Sequence, residues 1–286
     1  MSMRIVDGVG YERKRGNFYR VKFTCLDNGH VEAVASQGWE WHEVCVTPEA
    51  LALFQAHNAE LLSDPDFLAE RAQRHAERAA RRARQRVRLL CKSMGADTLI
   101  TLTYRDNVTD LDLCKRHLKE FVRRVKRVLP GFRAVCAFEQ QKRGAWHVHM
   151  ATERLVPVAA YQGAFMRSYD LLRAIWRSVT KAAGGNVDVQ ARKRHSRRSP
   201  ARIAAYLSKY LGKAFTDGPS HSNRWTKFGD ISEPESIQLG HMLDLREAIC
   251  LMYDLLPQGS RIVTSYLSRW QDVFFLVGEQ PPAVTS

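Results

Sequence analysis

Two short segments carry residues that could do chemistry together. His147-Val148-His149 puts two imidazoles on one side of a strand, because side chains alternate between faces. Val148 and Met150 then turn to the opposite, apolar side. A lone His-x-His pair is weak evidence for a metal, since histidine is ordinary on half-exposed strands. Glu139 strengthens it. The loop Lys142-Arg143-Gly144 suits a three-residue hairpin with glycine in the left-handed position. In that register Gln141 faces Ala145 and Glu139 faces His147, so Glu139, His147 and His149 share one face of adjacent strands. A two-residue loop would shift the register by one and send Glu139 to the other face, so the third ligand depends on this turn. Two imidazoles and a carboxylate leave coordination positions open. For phosphate chemistry Mg2+ or Mn2+ is the natural occupant; imidazole favours manganese over magnesium, and ligand type alone leaves zinc open.

The second segment is Tyr206-Leu-Ser-Lys209-Tyr210-Leu-Gly-Lys213, which contains Tyr-x-x-Lys twice. Tyr206 and Tyr210 are four apart, hence expected on one helix face, with Lys209 and Lys213 next to them and Leu207 and Leu211 as a parallel apolar row. In isolation this pattern also describes partly buried core tyrosines with snorkelling lysines. The preceding Arg192-Lys193-Arg194-His-Ser-Arg197-Arg198, with Arg202 beyond it, is too basic for a core and suits a phosphate backbone. A phenol with a pKa near 10 is a poor nucleophile at neutral pH. A metal that polarises the scissile phosphate, and a nearby lysine, would both assist it.

These residues need elements to hold them. The pattern predicts strands over Thr98–Tyr104, Arg133–Gln140, Ala145–Thr152 and Asn186–Gln190, and an edge strand over 224–231. It predicts helices over 66–94, 111–129, Tyr161–Lys181, from Ser199-Pro200 to Gly212, and over 235–256. On the third of these, Phe165, Tyr169, Leu172, Ile175 or Trp176, and Val179 form the inner stripe. Tyr19–Phe23 and Trp39–Val46 read as strands of unassigned role. The fold class is α+β: an antiparallel central sheet with helices packed mainly on one face. Along the chain this gives an N-terminal extension over 1–65, a basic helix over 66–95, the domain carrying the histidines and tyrosines over 96–230, and a mostly helical acidic segment over 231–286.

The 286 residues are 45% hydrophobic, enough for one core of about 150 to 200 residues plus a smaller lobe. There is no run of about 18 apolar residues to cross a membrane and no apolar signal core at the start, so a cytoplasmic protein is expected. The cysteines Cys25, Cys45, Cys91, Cys114, Cys136 and Cys250 include no CxxC pair, which leaves isolated reduced thiols in or near the core. Net charge is +14, which calls for a polyanionic partner. The charge is uneven: Arg71–Lys92 holds nine Lys/Arg and one acid, Arg192–Lys213 eight and none, whereas from Asp230 onward eight acids face three arginines. Arg71–Lys92 suits either a solvated basic face or DNA-backbone contact.

Taken together, the motifs resemble the HUH endonuclease superfamily, in particular the two-tyrosine rolling-circle replication initiators of bacterial single-stranded DNA phages and related plasmids. Thr98–Tyr104 is similar to the first strand motif, Gly144–His149 with Glu139 to the metal motif, and Tyr206–Lys213 to the tyrosine motif. The resemblance covers roughly residues 96–215. It implies an enzyme in which one tyrosine attacks a phosphodiester of single-stranded origin DNA, forming a 5′-phosphotyrosine and freeing a 3′-hydroxyl. The other tyrosine would serve a later cleavage. It also implies a bacterial host cell, a host polymerase and, since no P-loop is present, a host helicase. A two-tyrosine transposase shares the site, but such proteins often carry a cysteine-rich zinc segment, which is missing here. A conjugative relaxase usually has three histidines and an N-terminal tyrosine. A non-catalytic DNA-binding protein of the same fold would have no reason to keep both histidines, both tyrosines, Glu139 and both lysines.

Overall fold

Alternating apolar residues dictate most of the architecture, and they do so in two separate units. The computed structural model describes residues 3–27, 29–191 and 224–280. The expected helix bearing Tyr206, Lys209, Tyr210 and Lys213, and the basic residues Arg192, Lys193, Arg194, Arg197, Arg198 and Arg202, lie outside the described residues. The first unit comprises residues 1–25, 31–78 and 235–286, the second 26–30 and 79–234.

In the second unit, β4 (Thr98–Tyr104), β5 (Ala134–Gln140), β6 (Trp146–Thr152), β9 (Gly185–Ala191) and β10 (Trp225–Phe228) form a five-stranded antiparallel sheet in the order β10-β5-β6-β4-β9. One face of it is apolar at every second residue. Ile100, Leu102, Phe138, Val148 and Met150 pack there against α3 (Leu111–Val128) and α4 (Ser168–Thr180). Helix α3 buries Cys114, Leu118, Phe121, Val122 and Val125, a stripe at three- and four-residue steps. Its first turn is capped by the Asp110 carboxylate, which accepts from the Asp112 and Leu113 amides. Trp176 of α4 is fully buried, edge-on to Phe121, and its indole N–H donates to the Thr103 carbonyl at 2.9 Å. The opposite face meets the last two turns of α2 (Pro65–Ser93) around Val87, Leu90, Cys91, Leu99, Val135 and Ala151.

This is the α+β arrangement expected, with α3 and α4 on one face. One helix is shorter than its pattern suggests. Over Tyr161–Lys181 the chain first makes a hairpin, β7 (Val158–Tyr161) and β8 (Ala164–Arg167), and only then α4. Gln162 and Gly163 take positive φ values of 50° and 80° in its turn, a conformation no helix accommodates. Phe165, expected on the inner stripe, is 86% exposed. Leu172, Ile175, Trp176 and Val179 are buried as expected.

The first unit holds β1 (Met3–Val6), β2 (Val9–Cys25), β3 (Val31–Val44), α1 (Pro48–Ser63), β11 (Ser236–Met242), α5 (Leu245–Asp254), β12 (Arg261–Leu267) and β13 (Val273–Glu279). Its sheet runs β1-β2-β3-β13-β12, with β11 pairing β2. Val21, Phe23, Ala33, Ala35, Leu276, Ala248 and Met252 form its core. The mostly helical reading of 231–286 is therefore corrected: the predicted helix over 235–256 is a strand followed by a ten-residue helix. Pairing of β11 with β2 satisfies the backbone there, and Gly240 sits at φ +85° at the break in the ladder. The segments 1–65 and 231–286, read as separate extensions, contribute strands to one sheet. Among the described residues no helix is long and apolar enough to cross a membrane. Cys91, Cys114 and Cys136 are buried and Cys25, Cys45 and Cys250 exposed, all as free thiols.

Candidate active site

The hairpin β5–β6 decides the site. Gly144 has φ +89°, the Gln141 amide donates to the Ala145 carbonyl at 2.8 Å, and the Gly144 amide to the Gln141 carbonyl at 2.8 Å. The loop is thus the three-residue one, and its register sets Glu139 opposite His147 and Gln140 opposite Trp146. The segment before α3 buttresses the turn: Asn107 donates to the Arg143 carbonyl, and the Trp146 indole to the Thr109 carbonyl at 3.0 Å. Glu139, His147 and His149 therefore lie on the sheet face away from α3 and α4, while Val148 and Met150 enter the core.

Within this group the closest contact is His149 Nε2 to Glu139 Oε2, at 2.5 Å. An ionised carboxylate can only accept, so Nε2 donates. The other ring nitrogen, Nδ1, is 3.3 Å from the Thr101 hydroxyl, which donates to it when the ring is neutral. Thr101 stands directly opposite His149 on β4, so the ring is fixed from both edges and is 9% exposed. His147 is half-buried. Burial first, then the neighbouring His149, holds its pKa below the usual histidine value, which keeps its ring neutral and its lone pair available near pH 7.

Among the described residues, no three His, Cys, Asp or Glu side chains are gathered closely enough to enclose a metal ion; Glu139 closes on His149 instead. What fits a cation is the donor set. Two imidazoles and a carboxylate share one face, and Thr101 orients one imidazole from behind, the outer-shell support that metal-binding histidines require. Sequence reasoning missed Thr101, although the period-two pattern of Thr98–Tyr104 already places it on the face opposite Ile100 and Leu102. Asp188, across from Thr101 on β9, is a further exposed acid in the same row; its carboxylate accepts from Gln190 at 2.8 Å.

Residues 97–215 match the replication-associated protein ORF2 family. The match supports a Rep-type protein, of a family of rolling-circle replication initiators. It takes in β4, β5, β6 and α4 with Glu139, His147 and His149, and the sequence carrying Tyr206 and Tyr210; it covers less than half of the chain. No curated protein and no solved structure matches the chain. The matched stretch begins one residue before β4, so the long β2–β3 ribbon falls outside it.

Proposed function

We propose that this chain nicks and rejoins single-stranded DNA at a rolling-circle origin. The observation that carries the proposal is the hairpin register. It sets Glu139, His147 and His149 on one sheet face, inside the stretch similar to replication-associated proteins. These three residues would hold Mg2+ or Mn2+, whose contribution when bound is to polarise the scissile phosphate and stabilise charge developing on it. The nucleophile is the phenol of Tyr206 or Tyr210. Its oxygen bonds to phosphorus as the bond from phosphorus to the 3′-oxygen breaks. The phenolic proton is lost, the departing oxygen gains one, and a 5′-phosphotyrosine and a free 3′-hydroxyl result. Attack of that hydroxyl on the phosphotyrosine reverses the step and rejoins the strand. Lys209 and Lys213 supply positive charge to the phosphate. Arg192, Lys193, Arg194, Arg197, Arg198 and Arg202 hold the backbone of the DNA. A host polymerase would extend the 3′-end and a host helicase would open the duplex, in the cytoplasm of a bacterial cell.

The test is incubation of the full-length protein with single-stranded origin DNA and Mn2+, followed by denaturing electrophoresis. Covalent protein–DNA adduct that disappears with chelator is the expected result. DNA binding without adduct would leave a non-catalytic DNA-binding protein of the same fold.

Thr101 offers a finer test. Thr101→Val keeps the shape but removes the hydroxyl that faces His149 Nδ1. Loss of such an outer partner typically costs about 10- to 100-fold in metal affinity. The concentration of Mn2+ giving half-maximal nicking should rise by at least about tenfold, and Thr101→Ser should restore it. An unchanged Mn2+ titration would remove Thr101 from the site.

A further inference from the structure

The β1–β2–β3 ribbon of the first unit divides its side chains by chemistry. Register sets Arg4 opposite Tyr11, Arg13 opposite Trp41, and Arg15 opposite Trp39, and cross-strand partners point to the same face. The guanidinium of Arg4 lies 4.2 Å from the Trp41 ring centre, and that of Arg13 lies 4.4 Å from the Trp39 ring centre. The intervening residues take the other face, where the ribbon's carboxylates are used up locally: Lys14 pairs with Glu12 at 3.0 Å and His42 with Glu40 at 3.3 Å. Trp39 is 41% exposed, although an indole of that size is ordinarily buried. Beside it opens a cleft of about 450 Å³, lined by Arg13, Arg15, Arg20, Trp39, Trp41 and Asp272 among others. Two acids share this face. Glu43 stands opposite Tyr11, and Asp272 is 3.5 Å from Arg15 and accepts from the Ser268 hydroxyl at 2.6 Å. Arginine therefore remains in excess.

The geometry points to this arginine–tryptophan face as a platform for single-stranded DNA. Unpaired bases present ring faces that stack on indoles, and the phosphates between them are anions. A guanidinium stacked flat on an aromatic ring keeps its N–H edge pointing outward, where it can meet a phosphate in bidentate fashion. Duplex DNA keeps its ring faces inside the helix and would engage the arginines alone. A purely structural role would predict burial of the indoles, and Trp39 is exposed. The choice of DNA over RNA rests on the proposed replication function; the platform itself does not.

The experiment uses the full-length protein in chelator, so that binding is read without cleavage. Affinity for a fluorescent oligothymidylate is measured by anisotropy across a salt series, with a duplex and an oligouridylate of equal length alongside. Trp39→Ala/Trp41→Ala, checked for folding by circular dichroism, should bind the oligothymidylate at least about tenfold more weakly, since each stacked base contributes about that much or more. Its salt slope and duplex affinity should stay as in the wild type. Arg13→Gln/Arg15→Gln should flatten the slope of log affinity against log salt by about 0.7 for each phosphate no longer neutralised. Should the alanine variant not fold, Trp39→Phe/Trp41→Phe serves: oligothymidylate should quench the tryptophan fluorescence of the wild type and lose most of that quenching in the phenylalanine variant. Undiminished affinity in a folded alanine variant, equal losses for duplex and single strand, full quenching in the phenylalanine variant, or tighter binding of oligouridylate would each overturn the proposal. None of these readouts depends on adduct formation, so the platform can fail while the nicking reaction stands, and the reverse.

Discussion

His147→Ala is expected to lose at least about 10³-fold in nicking rate while its affinity for single-stranded DNA in chelator stays within about twofold. Lewis-acid stabilisation of a phosphoryl transition state contributes several kcal/mol, and each 1.36 kcal/mol is tenfold in rate. Removing one imidazole from a site of two imidazoles and one carboxylate leaves too few donors to retain a divalent ion against water. The DNA-binding arginines are untouched. The fold should be untouched too, because His147 faces away from the core that Val148 and Met150 enter. His149→Ala should be at least as severe, since it also releases Glu139 and Thr101 from the contacts that now fix their positions. Initial rates on an end-labelled oligonucleotide, with Mn2+ titrated from below to far above the wild-type requirement, provide the measurement. Should His147→Ala nick at the wild-type rate in the presence of chelator, the metal role of this face would be wrong. Glu139→Gln is informative beside it: the amide keeps the size of the side chain but gives up the charge, so the Mn2+ requirement should rise even where the maximal rate is partly kept.

Legibility of the fold follows the range of the interactions. The β5–β6 hairpin is readable because three consecutive residues, ending in Gly144, fix the loop type. The loop type fixes the register, and the register fixes which face Glu139 takes. Each step is local. Helix α3 is readable for a similar reason: Asp110 caps one end, Pro130-Gly131 stops the other, and the stripe between them keeps its period. The start of α4 is not, because Phe165 and Tyr169 fit a helical stripe by spacing, and only the positive φ of Gln162 and Gly163 reveals the turn. The first unit is least legible. Its sheet joins β2 to β11 and β3 to β13 across more than 200 residues of sequence, and nothing in the local pattern of residues 235–256 announces that a strand edge awaits them. Thr101 and the arginine–tryptophan face are both present as period-two patterns. Neither stands out by pattern alone, because Thr101 reads as one more strand residue and the arginines and tryptophans lie in a segment without a recognised motif.

The two tyrosines carry the prediction that separates a two-tyrosine enzyme from a single-tyrosine one. A phenol attached to DNA through a phosphodiester cannot attack again until it is released. An initiator with one tyrosine must therefore finish or reverse its first reaction before starting another, whereas an enzyme with two can begin a second transesterification while the first remains covalent. Four-residue spacing is the interval that allows two helical side chains to reach one phosphate. Tyr206→Phe and Tyr210→Phe should each retain adduct formation in a single round, at rates that differ between them, because each leaves one hydroxyl in place. The double variant should form none, a loss of at least about 10³-fold, since no nucleophile remains to be activated. Phenylalanine removes only the hydroxyl, so DNA affinity measured in chelator should be nearly unchanged in all three. Peptide mapping of the wild-type adduct by mass spectrometry should place nucleotide on Tyr206, on Tyr210 or on both, and each single variant should carry it on the tyrosine that is left. Complete loss of adduct in one single variant, with full strand transfer over repeated rounds in the other, would assign the reaction to one tyrosine. The remaining phenol would then be a packing residue, and termination would need a second enzyme molecule or a water nucleophile in place of the second tyrosine.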